Sequence, residues 1–192
     1  MLVFGSLYAL ALNPQTRFAD WVGYRVTAAS QSGRNSLNRN WLHRAKHLTI
    51  EAQDYEGSEY SMGHLCPLAS VRADADAWEV NWTGAVAPQR QALNAGPWLE
   101  FEEYCRQLAR QHDLVHVMCG TLYQHDMPPL PKSDEHHIVP SHFWARLFVP
   151  ATEELVHWIM PQDAGRRDSH TEYIVKRSDF TRQTRLVFSD DV

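Results

Sequence analysis

The sequence of 192 residues predicts an α+β fold, with a largely antiparallel central sheet flanked by helices. Two observations predict this class. Short runs rich in aromatic and β-branched residues recur along the chain, and polar loops separate the first few of them, which is typical of antiparallel strands. Between residues 91 and 112, Trp98, Phe101 and Cys105 instead recur at three- and four-residue steps, which indicates a helix.

The strands are predicted in chain order from these runs. Residues 2–12 form the first strand, which ends at the turn signal Asn13-Pro14, and residues 21–27 form the second. Strand-like runs occur near residues 20–28, 59–65, 79–87, 114–123, 136–149, 155–160 and 184–189. The apolar run 2–12 is far shorter than the roughly 20 residues of a membrane span and lacks a basic flank, so we expect neither an anchor nor a signal peptide.

The predicted helix carries polar side chains on one side. Pro97 is tolerable only in a first turn. Asn94, Trp98, Glu102 and Arg106 follow at four-residue steps, each of which advances the helix by about 40°, so Asn94 and Glu102 share one side. A strand that carries His64, a second strand near 79–87 and this helix would form a β-β-α unit over about residues 59–112, in which the imidazole and the amide face each other.

Composition and charge limit the kind of protein. A hydrophobic content of 44% and 21% charged residues fit one domain over residues 1–192 with a full core. The net charge of -5 argues against binding of nucleic acid through a broad basic surface, although positive charge clusters at residues 34–47. Cys66, Cys105 and Cys119 lack CxxC spacing, so we expect buried free thiols rather than a zinc site.

The candidate catalytic group consists of His64, Asn94 and Glu102. An imidazole followed at separations of 30 and 38 residues by an amide and a carboxylate is the minimum set for activating water beside one hard metal ion. A zinc hydrolase is disfavoured because neither HExxH nor paired cysteines occur.

The remaining aromatic and histidine side chains have simpler interpretations. Trp41 lies in a polar segment that mixes arginine and asparagine, and it is the best candidate for stacking on a base. His136, His137 and His142 fall in a strand-like run, and we expect ordinary sheet residues without a ligand role.

Several motifs resemble one known family. The motifs are Gly-His-Leu-Cys-Pro-Leu-Ala-Ser at 63–70, Val-Ala-Pro-Gln at 86–89, Leu-Asn-Ala-Gly-Pro-Trp at 93–98 followed by Glu102, Cys-Gly-Thr-Leu-Tyr at 119–123 and Val-Pro-Ser-His-Phe-Trp at 139–144, with Arg-Asn-Trp at 39–41 and Asp-Tyr at 54–55. In this order they are similar to the DNA/RNA non-specific endonucleases, the ββα-metal nucleases. The similarity runs from about Tyr8 to the end of the chain.

The resemblance implies a role for each matching residue. His64 matches the general base that takes a proton from the attacking water, and Asn94 matches the sole protein ligand of Mg²⁺, for which Mn²⁺ is a substitute. Glu102 matches the carboxylate that orients the waters of the metal. Arg39 and Arg106 match cations that steady the phosphorane and the substrate. Mg²⁺ retains several waters and needs few protein ligands, which agrees with such a site.

Two departures from the family pattern affect the expected activity. Ser61 and Met62 stand where the family signature has Asp and Arg, and Gly84 and Ala85 replace a Ser-Asn pair. Each lost hydrogen bond to a charged group costs about 1.5–3 kcal/mol. These losses predict a slower or more selective enzyme. The candidate replacements for the missing cation are Arg72, Arg90, Lys46 and Arg44.

The resemblance thus implies Mg²⁺-dependent, sugar-non-specific hydrolysis of DNA and RNA to 5′-phosphate and 3′-hydroxyl ends. Its partners would be DNA and RNA, with no membrane, and it suggests secretion or the periplasm. The sequence does not indicate whether a protein inhibitor binds or a homodimer forms. The rival hypothesis is a weakened or inactive nucleic-acid-binding or interaction protein on the same scaffold, motivated by Ser61, Met62 and Ala85.

Overall fold

The computed structural model describes residues 1–32, 40–45 and 47–188. Its strands are β1 (Leu2–Phe4), β2 (Tyr8–Leu12), β3 (Ala19–Thr27), β4 (Tyr60–His64), β5 (Val86–Arg90), β6 (Leu114–Leu122), β7 (His142–Val149), β8 (Glu154–Pro161) and β9 (Ile174–Val175). Its α-helices are α1 (Leu68–Val71), α2 (Gln91–Asn94), α3 (Pro97–His112) and α4 (Arg177–Thr184). Short 3-10 turns cover Ala29–Gln31, Ala52–Tyr55, Ala77–Asn81, Thr83–Ala85 and His170–Tyr173.

Seven of these strands form one sheet in the order β1-β2-β3-β6-β7-β8-β9. Every neighbouring pair in it is antiparallel. Strands β4 and β5 form a second, two-stranded antiparallel sheet. The predicted α+β class with a largely antiparallel sheet is therefore confirmed. Within the described ranges, no helix is long and apolar enough to span a bilayer.

Helices cover both faces of the large sheet because successive side chains of a strand point to opposite faces. On one face, Trp98 of α3 packs on Phe143 with ring centroids 5.5 Å apart, and Phe101 packs on Trp158 at 4.9 Å. On the other face, Phe180 of α4 packs on Trp144 at 5.7 Å. Burial of each such ring stabilises the fold by about 1.5–3 kcal/mol. The packing fixes α3 against the sheet.

The β4–β5 hairpin has a close contact at Gly63, one residue before His64. A Cβ atom at this position would lie 2.1 Å from Oε1 of the buried Gln89 on the partner strand. The register pairs Gly63 with Ala87 and His64 with Val86. Only glycine leaves room for the Gln89 side chain, so this residue sets the packing next to the histidine.

Two predicted strands have different bounds in the structure. Residues 2–12 form a hairpin instead of one strand, since the Gly5 N–H donates to the Tyr8 carbonyl at 2.8 Å. The predicted run 79–87 instead falls in two 3-10 turns, Ala77–Asn81 and Thr83–Ala85, and the strand covers only Val86–Arg90. Val80 and Ala85 are buried in these turns, and a short buried apolar run alone does not distinguish a strand from a helical turn.

Two predicted strands in the C-terminal part of the chain, at residues 136–149 and 184–189, also need correction. Residues 136–141 are not a strand, so His136 and His137 are loop residues and β7 begins at His142. There the His137 Nε2 accepts a hydrogen bond from the Leu130 N–H at 2.9 Å, which fixes the loop instead of a sheet ladder. Described residues 185–188 lie beyond α4 and form no strand, because Leu186 and Phe188 pack on the Phe180 cluster without strand pairing.

Candidate active site

The His64 side chain is held from two sides at the end of β4. Its Nε2 lies 3.1 Å from Oδ1 of Asn81, whose side chain is buried with 1% of its surface exposed. The Trp41 ring stacks on the imidazole, with centroids 5.2 Å apart and an interplanar angle of 30°. Because an amide oxygen only accepts hydrogen bonds, this contact places the proton on Nε2 and makes Nδ1 the basic nitrogen.

Backbone hydrogen bonds of Leu42 position both Trp41 and Asn81, the two side chains that contact the imidazole. The Leu42 N–H donates to the Asn81 carbonyl at 3.0 Å, and the Thr83 N–H donates to the Leu42 carbonyl at 3.1 Å. These bonds fasten the segment that carries Trp41 to the 3-10 turn that ends in Asn81. The aromatic ring and the amide thus reach the histidine from adjoining elements.

His64 opens into a cavity of about 270 Å³, called here the His64 cavity. Its lining residues are Met62, His64, Pro67, Leu68, Ala69, Asn94, Ala95, Leu99, Glu102 and Arg106. Four of the predicted site residues therefore share one cavity, and Trp41 contacts one of them. Arg39, the remaining predicted catalytic residue, lies outside the described residues.

Asn94 and Glu102 reach this cavity from different helices. We expected one helix over residues 91–112, but α2 ends at Asn94 and α3 begins at Pro97. The helix breaks at Gly96, whose backbone is non-helical at φ -119° and ψ -118°, and Pro97 then occupies the first turn of α3. A Cβ atom at Gly96 would lie 2.5 Å from the Ala92 carbonyl oxygen, so the break requires glycine. The eight-residue helical spacing is thus not what aligns the two side chains, yet both line the cavity because α3 starts directly after the break.

Arg106 forms part of a chain of charges along α3. Its NH1 lies 3.7 Å from Glu102 Oε2, and its Nε donates to Glu103 Oε2 at 3.0 Å. Arg110 NH2 donates to Glu103 Oε1 at 2.6 Å. Burial would raise the pKa of Glu103, but the hydrogen bonds from Arg110 and Arg106 outweigh it and lower that pKa. Glu103 thereby holds the guanidinium of Arg106 beside Glu102.

Arg106 also has unused hydrogen-bonding capacity. The residue is 7% exposed, and its buried NH1 has no hydrogen-bond partner among the described residues. An unsatisfied buried donor is costly, so such groups are often filled by a ligand or water. Arg106 lines the His64 cavity, where its positive charge suits an anionic oxygen.

The donor atoms in the His64 cavity fit a hard divalent cation. Asn94 supplies an amide oxygen and Glu102 a carboxylate, and oxygen donors suit Mg²⁺ and Mn²⁺. Across the part of the chain that the structure describes, no three or more His, Cys, Asp or Glu residues gather as a metal site. A cation held mostly by waters, with few protein ligands, is the kind that matches this set.

The departures from the family pattern have clear structural settings. Met62 lines the His64 cavity with an apolar side chain, while Ser61 Oγ donates to Gln91 Oε1 at 2.5 Å. Ala85 is fully buried. The position two residues before the histidine, Met62, therefore carries no guanidinium.

The candidate replacements for that guanidinium are engaged elsewhere. Arg72 Nε donates to the Gln31 carbonyl at 2.6 Å, Arg90 pairs with Glu59 at 3.1 Å, and Arg44 lies over the Trp78 ring at 5.0 Å. As far as the described residues show, none of these three arginines lines the cavity. Lys46 lies outside the described residues.

Asn81 is the site residue that sequence reasoning missed. Residues 79–87 were predicted as a strand, which gave the asparagine no special position. An available signal was the asparagine itself, because a polar side chain inside an apolar run needs a buried partner. By contrast, Cys66, Cys105 and Cys119 are buried free thiols as expected, and burial raises the pKa of each.

A β-hairpin and following helices that bring an imidazole, an amide, a carboxylate and a guanidinium into one cavity define a ββα nuclease fold. The chain belongs to the DNA/RNA non-specific endonuclease family, whose match covers residues 2–192. It is therefore a nuclease, a hydrolase that acts on nucleic acids. Membership in this family of metal-dependent nucleases implies a divalent metal.

Similarity to curated relatives is spread over most of the chain. The "Nuclease" of Serratia marcescens is 29% identical over 194 residues, covering 94% of this chain and 71% of the relative. Mitochondrial endonuclease G of Bos taurus is 29% identical over 177 residues, covering 80% of this chain. The alignment spans only 57% of that relative. Nuclease C1 of Cunninghamella echinulata var. echinulata is 24% identical over 206 residues, covering 95% of this chain and 80% of the relative.

A solved structure shows the same fold. The crystal structure of the EndoG/EndoGI complex superposes with a TM-score of 0.83 and covers 100% of this chain and 86% of the matched chain. The sequence identity is 22%, so this likeness concerns the fold alone.

Proposed function

We propose that this chain is a Mg²⁺-dependent, sugar-non-specific endonuclease that hydrolyses phosphodiester bonds of DNA and RNA to 5′-phosphate and 3′-hydroxyl ends. One observation carries the proposal. His64, Asn94, Glu102 and Arg106 line one cavity in a chain whose family match extends over residues 2–192. We also propose that residues 1–192 act as a single nuclease domain.

His64 is the general base in this mechanism. Asn81 accepts from Nε2 at 3.1 Å, which orients the ring and keeps the neutral tautomer with its lone pair on Nδ1. Trp41 packs on the ring face and limits its rotation. The Nδ1 nitrogen then takes a proton from the attacking water, a contribution of about 10²–10⁴ in rate.

Asn94 would hold the divalent cation through its amide oxygen, and Glu102 would accept hydrogen bonds from the waters of that cation. When bound, such an ion offsets negative charge on the phosphate and on the leaving oxygen. Mn²⁺ has the same preference for oxygen donors and would replace Mg²⁺. Arg106, held by Glu103, keeps Glu102 in position through their 3.7 Å contact.

The substrate is bound by cations and one aromatic side chain. Arg106, which lines the cavity, would donate a charge-assisted hydrogen bond to a phosphate oxygen. Arg39 would make a second contact with the phosphate and stabilise its negative charge during the reaction. Trp41 is half-buried, and the part of its ring that is turned away from His64 would contact the nucleic acid.

A protein inhibitor is a further candidate partner. The matched solved structure is the EndoG/EndoGI complex, which concerns the mechanism of EndoG inhibition. A protein that covered the His64 cavity of this chain would block the entry of the nucleic acid strand.

A plasmid-nicking assay tests the proposal. Activity should vanish in EDTA and return on addition of excess Mg²⁺, because the charge on the scissile phosphate must be offset. The rival hypothesis is a protein that binds nucleic acid without cleaving it, and the apolar Met62 in the cavity wall favours that hypothesis. It would shift the plasmid on a gel without nicking it in either condition, and that result would contradict the proposed enzyme.

A further inference from the structure

A second cavity of about 550 Å³ adjoins the His64 cavity along α3. We call it the flanking groove, and it is lined by Ala95, Gly96, Leu99, Glu100, Glu103, Arg106, Arg166, Arg167, Asp168 and Ser169. The two cavities share Ala95, Leu99 and Arg106. From Gly96 to Arg106 the groove follows ten residues, or about 15 Å of helix at about 1.5 Å per residue. It is therefore a continuation of the candidate active site.

The acidic side chains of the groove are already engaged by the protein. Glu103 pairs with Arg106 and Arg110. Glu100 Oε2 accepts from the His170 N–H at 2.6 Å. The oxygen atoms of these two carboxylates are thus partly occupied by contacts inside the protein.

Asp168 is engaged in the same way. Its Oδ2 accepts from the Tyr173 hydroxyl and from the Gly165 N–H, each at 2.6 Å. In contrast, the side chains of Arg166 and Arg167 are exposed, and in the described ranges neither forms a hydrogen bond or an ion pair. The lining therefore holds three carboxylates and three arginines in all, and the guanidinium groups of Arg166 and Arg167 are the charged groups left free to bind a ligand.

The loop that carries these arginines is fixed against the start of α3. The Asp168 N–H donates to the Gly165 carbonyl at 3.1 Å, which closes a tight turn around the arginine pair. A Cβ atom on Gly96 would lie 2.7 Å from the Arg166 carbonyl oxygen and 2.9 Å from its Cα. Because the loop backbone packs directly on the helix, binding a ligand here orders little besides the two side chains.

We propose that the flanking groove binds backbone phosphates of the strand being cut, next to the scissile phosphate, through Arg166 and Arg167. This inference rests on the proposed function, since the strand must enter the His64 cavity at Arg106. One guanidinium group can donate two parallel hydrogen bonds to the oxygens of one phosphate. Two neighbouring arginines therefore suit a chain of phosphodiesters. Arg166 and Arg167 add two exposed guanidinium groups beside the candidate active site of a protein whose net charge is -5.

The test measures binding without turnover. Fluorescence anisotropy in EDTA would record the affinity of the unaltered protein and of the double variant Arg166→Ala/Arg167→Ala for a labelled single strand of about twelve nucleotides at several salt concentrations. The affinity should fall about tenfold, and the slope of log affinity against log salt should fall by about 1.4, from about 0.7 per lost phosphate contact on a single strand.

The matched control is Lys176→Ala/Arg182→Ala, which removes the same charge from exposed positions that do not line the groove. It should leave the salt slope unchanged. Equal affinities and slopes for the unaltered protein and the groove variant would overturn the proposal. A loss of the same size in both double variants, or no measurable binding by the unaltered protein, would also overturn it.

A second arm separates this inference from the proposed function. Cleavage by the unaltered protein and both variants would be followed in Mg²⁺ with the same strand and with a dinucleotide. The ratio of kcat/KM for the strand to that for the dinucleotide should fall about tenfold in the groove variant only, because a dinucleotide lacks the flanking phosphates. If no variant cleaves either substrate while the difference in anisotropy persists, phosphate binding by the groove is supported and the proposed nuclease activity is contradicted.

Discussion

Replacing Asn81 by aspartate should move the acid limb of the pH–rate profile to higher pH, whereas replacing it by alanine should lower the rate without that shift. The amide oxygen is 3.1 Å from His64 Nε2 and the residue is 1% exposed. A carboxylate at this distance, shielded from water, favours the protonated ring, and a protonated ring is no base. The neutral fraction is then reached at higher pH, by about one pH unit.

The alanine variant tests the size of the orienting effect. It removes one buried hydrogen bond worth about 1–1.5 kcal/mol, which corresponds to about a tenfold loss in kcat. Its acid limb should stay in place or move to lower pH, since no charge is added. The aspartate and alanine variants at position 81 should thus move the acid limb of the pH–rate profile differently. Both variants keep Glu102 and Arg106 in the His64 cavity, so the difference would come from position 81.

The assay is steady-state cleavage of a labelled duplex in Mg²⁺ across the pH range, with thermal unfolding of each variant to confirm the fold. Gln124→Glu is the control, because it adds the same charge at an exposed amide that pairs with Gln183 at 3.0 Å. Coincident acid limbs for the unaltered protein, the aspartate variant and this control would refute the assignment of Asn81 as the partner of the base.

Three further substitutions have distinct expected outcomes. Asn94→Ala should raise the Mg²⁺ concentration needed for half-maximal rate and lower the rate, as a site with one protein ligand has no spare donor, and an unchanged Mg²⁺ titration would move the ion elsewhere. Met62→Arg should improve substrate binding or rate about tenfold and steepen the salt dependence by about one phosphate contact, whereas no gain at low salt would mean that another cation already serves there. Gly63→Ala should lower the free energy of unfolding by about 1–3 kcal/mol in a denaturant titration, because its Cβ would lie 2.1 Å from Gln89 Oε1, and an unaffected midpoint would show that Gln89 moves freely.

Much of the fold could be predicted because the burial pattern alternates along the long strands. In β7, Phe143 and Trp144 pack on opposite faces of the sheet, and the resulting period of two is legible in the sequence. The 3-10 turns at 77–85 could not be predicted, because their apolar residues serve the same core without a regular period. The loop at 136–141 is similar, since His137 bonds to the backbone at Leu130, a partner that the sequence does not reveal.

The candidate site divides in the same way. Four of its residues belong to short sequence motifs or to a regular four-residue spacing, so the sequence alone sufficed to select them: His64, Asn94, Glu102 and Arg106. Asn81 could not be selected, because its importance arises from a contact across 17 residues that depends on the path of the 3-10 turn. The flanking groove likewise depends on a loop more than fifty residues beyond α3 in the chain, at 165–169.

The most direct test of the central claim, that His64 is the base of a hydrolytic nuclease, is the cleavage rate of His64→Ala with and without added imidazole. The account predicts a loss of about 10²–10⁴ in kcat with strand binding retained. It also predicts partial recovery by free imidazole, whose ring would occupy the space left in the cavity beside Trp41. Near-normal activity of His64→Ala in the same Mg²⁺ assay, with the protein folded, would contradict the account.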